Sequence, residues 1–242
     1  MKPTMIRTAA AAAAVGLLLS GCGSSDEAEA AADVTTAAAA KLDTGEFPTT
    51  PQPEFGKATP DTAVGIESQR MAEFIVFPWD VDPALVDLFR SSRPMKGPSD
   101  LRGPFGETAE DALKDSFVAG FATGAGTGEE DGRGLGIQVV RLDDAAAADA
   151  AIPVIHESWL ATEYNPATPD SVDALPNSAV VSSEDEGEVN VRSVTAHDDY
   201  VIYVWASSPD GDRQWVDQSI SNAVEQQEKL IDQFPATPVE EI

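Results

Sequence analysis

The hydrophobic pattern of this chain opens with a single unbroken block. Thr8 to Leu19 is built, after the threonine, from Ala, Val, Gly and Leu behind Lys2 and Arg7. It falls short of the roughly 20 apolar residues that cross a bilayer core and fits the central region of a signal peptide. Gly23 to Ala40 (GSSDEAEAAADVTTAAAA) follows with no apolar period, so it cannot build a core and reads as a low-complexity tether. If flexible, it spans roughly 25 Å end to end. Lys41 to Pro60 carries prolines at 48, 51, 53 and 60, which predicts an extended strap touching the domain through Leu42, Phe47 and Phe55.

Beyond the strap the pattern becomes helical. Ile66, Met71, Phe74 and Ile75 predict a helix over 62–77, stopped by Pro78. Asp82-Pro83 suits the N-cap and first position of a second helix, with Leu85, Leu88 and Phe89 on one face. A Gly/Pro-rich loop covers 93–106, and Thr108-Ala-Glu-Asp111 resembles a capping box that starts a short helix near Leu113. From Phe117 the pattern fits helix or strand. A strand through about Thr123 is favoured, because GAGTGEEDGRG (124–134) is loop material and LGIQVVRL (135–142) is a strand.

Asp143 and Asp144 then cap an Ala-rich helix that Pro153 interrupts or restarts and that runs through Ile155, Trp159 and Leu160. After a loop with Pro166, Pro169 and Pro176 come three strands: 179–183, 188–195 and 200–206. The sequences EDEG (184–187) and HDD (197–199) supply their turns. A closing helix, 215–234, places Val216, Ile220, Ala223, Val224, Leu230, Ile231 and Phe234 at a 3.6-residue period. The order from Leu135 is β-α-β-β-β-α. This predicts an α+β fold, an antiparallel sheet with helices mainly on one face, preceded by extra N-terminal helices. Three segments result: signal peptide 1–21, modified cysteine and tether 22–40, and one domain 41–242.

The block Leu19-Ser20-Gly21-Cys22 looks like a bacterial lipobox, and Cys22 is the only cysteine. A thioether-linked diacylglycerol there would hold the chain at the outer face of a cell membrane, since two or more acyl chains anchor stably where one does not. The expected partners are therefore a membrane, through the lipid on Cys22, and an envelope protein, lipid or glycan. A lone cysteine also excludes an internal disulfide. The formal charge of −27 moves to −29 once Lys2 and Arg7 leave with the leader. That surface repels phosphate backbones, so nucleic acid is not an expected partner. The acidity reads as a solvated surface ahead of a cation site.

The segments LDTGEFPTTPQPEFG (42–56), QRMAEFIVFPWDVDPAL (69–85), VVRLDDAAAADAA (139–151) and AHDDYVIYVWA (196–206) resemble a family of uncharacterised lipoproteins from mycolic-acid-producing actinobacteria. The resemblance covers most of the mature chain in scattered blocks. It implies an envelope location and this architecture, and it transfers no catalytic residues. Members of that family are often longer.

Motifs for catalysis are missing from the sequence. There is no G-x-S-x-G elbow. His156 and His197 are the only histidines and stand in no H-E-x-x-H, so no zinc triad can form, and both read as structural. Gly124-Ala-Gly126-Thr-Gly128 and Gly132-Arg-Gly134-Leu-Gly136 lack the Gly-Lys-Ser/Thr of a phosphate loop and read as hairpin loop. Asp210-Gly-Asp212 and Glu184-Asp-Glu186 lack the twelve-residue Ca²⁺ loop. No metal or cofactor is expected. Among the tryptophans, Trp159 and Trp205 read as core, while Trp79, beside a proline, is the candidate contact. The expectation is a non-catalytic binding or accessory module. An envelope enzyme using carboxylates and a structural subunit of an assembly are the alternatives.

Overall fold

Sequential pairing of strands dominates the architecture. The computed structural model describes Thr59 and residues 62–128, 132–161 and 167–234, the side chains of 87–90 excepted. Cys22, the tether, and the strap contacts Leu42, Phe47 and Phe55 lie outside the described residues. Seven antiparallel strands form one sheet: β1 Asp87–Pro94, β2 Phe117–Gly126, β3 Gly134–Leu142, β4 Thr168–Asp170, β5 Ala179–Asp185, β6 Glu188–His197 and β7 Tyr200–Ser208. Their spatial order is β1-β2-β3-β7-β6-β5-β4. The helices are α1 Ala63–Arg70, α2 Pro78–Val81, α3 Arg102–Phe105, α4 Glu107–Leu113, α5 Ala145–Leu160 and α6 Arg213–Gln233. The α+β class and the order from β3 onward match the sequence pattern, with the short β4 added.

The layering differs from the expectation of helices mainly on one face. Helix α6 covers one face, packing Val216, Ile220, Ala223, Val224 and Ile231 onto Ile137, Val139, Ile202 and Val204. Helices α3, α4 and α5 cover the other, setting Phe105, Ala109, Leu113, Ala151, Ile155 and Trp159 against Val140, Leu142, Val201 and Tyr203. The cause is legible in two interior strands. Every position of β2 and all but one of β3 are buried, so neither face can be left to solvent.

Local chemistry explains the remaining departures. Helix α1 ends at Arg70 and, after a 3-10 turn at Met71–Glu73, the chain extends, because a buried glutamine on α6 captures its backbone. Gln227 Nε2 donates to Phe74 O (2.8 Å) and Val76 N donates to Gln227 Oε1 (2.9 Å). Pro78 opens α2 at its first position and stops no longer helix. Asp82 ends α2 and accepts from Ala84 N (2.9 Å), so the Asp-Pro pair makes a turn into β1 where a helix was expected. Thr108 lies inside α4, which begins at Glu107 after Gly106 at φ +88°. Pro153 sits within an uninterrupted α5, whose cap is Asp144, accepting from Ala147 N at 2.8 Å. The β5–β6 turn uses Glu186 and Gly187 at φ +48° and +94°.

Candidate functional site

The strongest site comes from two glycines and one tryptophan. Gly134 and Gly136 stand in β3, not in a loop, and Gly136 pairs with Trp205 on β7. A Cβ on Gly136 would fall 2.0 Å from Trp205 Nε1, and one on Gly134 would fall 3.0 Å from Cη2 and Cζ3. The indole therefore lies on β3 in space that side chains at 134 and 136 would fill. This close approach is why glycine stands twice in a central strand.

By lying towards β3, Trp205 leaves a hollow over β6. It measures about 260 Å³ and is lined by Asn190, Val191, Arg192, Tyr203 and Trp205. Arg192 pairs across the sheet with Trp205, and Asn190 lies two residues away on the same face. The Arg192 guanidinium sits 5.4 Å above the Trp159 ring, and that ring is held by Nε1 donating to Pro104 O at 2.8 Å. Tyr203 joins the floor, its ring 5.5 Å from Trp159 and 5.6 Å from Phe105. Burial pushes the Tyr203 phenol above its ordinary value, and the Arg192 charge offsets only part of this.

Arg192 is exceptional in its partners. Arg70, Arg93, Arg102, Arg133, Arg141 and Arg213 each meet a carboxylate. Arg192 meets none among the described residues, and its Nη2 is buried without a hydrogen-bond partner. On the same face the buried Oε1 of Gln138, whose residue pairs with Tyr203, is also unpartnered. An unsatisfied buried donor costs about 1–3 kcal/mol, more when charged. No acid, histidine or thiol lines the hollow. Its chemistry is that of recognition: a cationic fork, a carboxamide and an aromatic plane.

Other candidates fall elsewhere. Trp79 lies in α2 on the opposite face, stacked on Phe77 at 4.8 Å and packed against the core there. Trp159 is core as expected, whereas Trp205 is half-exposed at the hollow. Trp215 donates through Nε1 to Asp82 Oδ2 (2.9 Å) and carries Arg133 above its ring at 5.0 Å. Arg133 also holds Asp210 (3.0 Å) and Asp212 (2.9 Å), so these acids serve the β7–α6 turn. The Ser208 hydroxyl, and then Arg133, hold the Asp210 carboxyl at a pKa of about 2. Glu184, Asp185 and Glu186 form the β5–β6 hairpin tip. His156 is half-buried on α5.

His197, at the end of β6, meets α6: its Nε2 lies 2.8 Å from Asp232 Oδ1. One ligand atom from each of His197, Asp198 and Asp232 falls within 4.8 Å of the others, and both acids are exposed. A second hollow, about 630 Å³ between residues 171–174 and the start of α6, has Arg213 as its only cation. Asp170 and Asp217 each hold that arginine at 2.7 Å. Burial works against ionisation of Asp170, yet hydrogen bonds from Arg213, Ser182 and Ser171 outweigh it and hold its carboxyl below the ordinary range.

Fold and hollow together define an α+β domain with a small hollow on one face of its sheet. The chain belongs to the family described as domain of unknown function (DUF7373) N-terminal, which matches residues 54–242. Among solved structures it is similar to the extracellular domain of PknH from Mycobacterium tuberculosis. That likeness has a TM-score of 0.46 and 13% identity over 68% of this chain and 96% of the other. No curated protein matches its sequence. No helix among the described residues is long and apolar enough to cross a membrane.

Proposed function

We propose that this chain is an exported actinobacterial envelope protein, anchored by lipid on Cys22, that binds a ligand without transforming it. The hollow beside Trp205 is its binding site. The observation that carries the reading is an arginine that meets no described carboxylate, Arg192, lining a hollow beside Trp205. A cation without a carboxylate partner at the wall of a hollow is a ready contact for a ligand. The absence of acids and histidines from the lining favours binding over hydrolysis. The leader and the lipobox pattern of residues 19–22 support the anchor, and the low-complexity spacer supports a domain held clear of the membrane.

Two experiments test this. In cells, Cys22→Ala abolishes palmitate labelling and membrane retention while the domain keeps its melting temperature. Continued acyl labelling of the variant refutes the anchor. In vitro, the full chain screened against glycan and lipid arrays gives saturable binding that Trp205→Ala removes. Substrate turnover lost on changing one Asp or Glu to its amide would establish the enzyme reading instead.

A further inference from the structure

We infer that the ligand of the β6–β7 hollow presents a carboxylate carried on a ring. The carboxylate meets Arg192 and the ring lies against the outer face of Trp205. This deepens the binding reading above and rests on it.

The argument starts from charge. The sequence holds 42 acids against 15 lysines and arginines, so a guanidinium is seldom far from a carboxylate. Six other described arginines have found one; Arg192, which lines the hollow, has not. Its seat on Trp159, fixed by the bond to Pro104 O, stabilises the cation without using its donors. An oxyanion is the complement of those free donors, and a planar fork matches the two oxygens of a carboxylate.

Valence and size narrow the class. Arg192 is the only cation among the five lining residues, so the hollow neutralises one negative charge. A phosphate dianion would keep a surplus charge inside a chain of formal charge −27, which disfavours it. A hollow of about 260 Å³ sits at the small end for ligand sites and suits one substituted ring. Trp205 supplies the surface for that ring, because it lies against Gly134 and Gly136 and also lines the hollow. Asn190 completes the grip. Its Nδ2 donates to Glu188 Oε1 at 3.0 Å, which orients the carboxamide and leaves one N–H and the carbonyl for the ligand.

Aromatic acids and sugar acids share this chemistry, and the test separates them. The full chain is titrated calorimetrically at low salt with benzoate, glucuronate, the neutral counterparts benzyl alcohol and glucose, and inorganic phosphate. Benzoate or glucuronate is expected to bind saturably at 1:1, at least about tenfold tighter than its neutral counterpart and than phosphate. Arg192→Gln should weaken that binding about tenfold or more, the size of one charge-assisted hydrogen bond. Arg192→Lys, which keeps the charge but loses the fork, should fall between, and it stands in should the glutamine variant not fold. Equal binding of the neutral partner, tighter binding of phosphate, undiminished binding by Arg192→Gln, or no binding by either carboxylate overturns the inference. A neutral ligand that binds saturably and is lost in Trp205→Ala but kept in Arg192→Gln would sink the inference and leave the binding reading standing. Empty glycan and lipid arrays as well would end both.

Discussion

Replacing Gln227 by Leu isolates the contact that turns the segment after α1 from helix into extended chain. Gln227 is 0% exposed in the middle of α6, and both halves of its carboxamide pair with backbone, at Phe74 O and Val76 N. Leucine is close in volume and a good helix former, so the change leaves α6 and its packing nearly intact. It strands two backbone groups. Val76 is 1% exposed, so its N–H carries most of the desolvation cost of about 1–3 kcal/mol. Phe74 is only half-buried, and water can reach its carbonyl in part, so a further ~1 kcal/mol is expected there. The total is about 2–4 kcal/mol, or roughly 5–15 °C in melting temperature for a domain of this size. Urea unfolding followed by far-UV circular dichroism measures the loss. Hydrogen exchange at the Val76 amide, with protection falling in parallel, locates it. A variant within about 0.5 kcal/mol of the parent, with Val76 equally protected, would refute the account of why helix 62–77 is cut short.

Two further predictions test the hollow and the β7–α6 turn. Gly136→Ala places a methyl group 2.0 Å from Trp205 Nε1. The indole must leave β3, costing about 1–3 kcal/mol and shifting the tryptophan emission to the red; an unchanged spectrum and stability would deny that the ring lies there. The Asp210 carboxyl is held at about 2 by the Ser208 hydroxyl and Arg133, below its unfolded value, so its contribution is full above about pH 4 and fades as pH falls through 2. The stability gap between parent and Asp210→Asn should therefore narrow between pH 4 and pH 2 in acid titrations of unfolding, and a constant gap would rule the linkage out.

Much of the frame is written in local pattern. The run LGIQVVRL, the hairpin signals at Glu184–Gly187 and His197–Asp199, and the period of α6 each depend on neighbours a few residues away, so they are readable one segment at a time. Asp144 capping α5 is of the same kind. The closing β-β-β-α order followed from these alone.

Tertiary structure decided what depends on distant partners. The fate of Phe74–Val76 rests on Gln227, more than 150 residues away, and no local rule anticipates that pairing. Asp82-Pro83 satisfies a helix-start rule, yet Trp215 Nε1 bonds the Asp82 carboxylate and the chain turns into β1. β2 and β3 have a strand on either side, a fact of strand order that no local pattern reports. The hollow left one trace in the sequence: Gly134 and Gly136 inside an otherwise β-forming run, the mark of a close approach in a strand. That Trp205 lies there, and that Arg192 is thereby left with a buried, unanswered donor, came only from bringing β3, β7 and β6 side by side. Pattern along a chain reports which face a residue takes; only the register across strands reports what it meets.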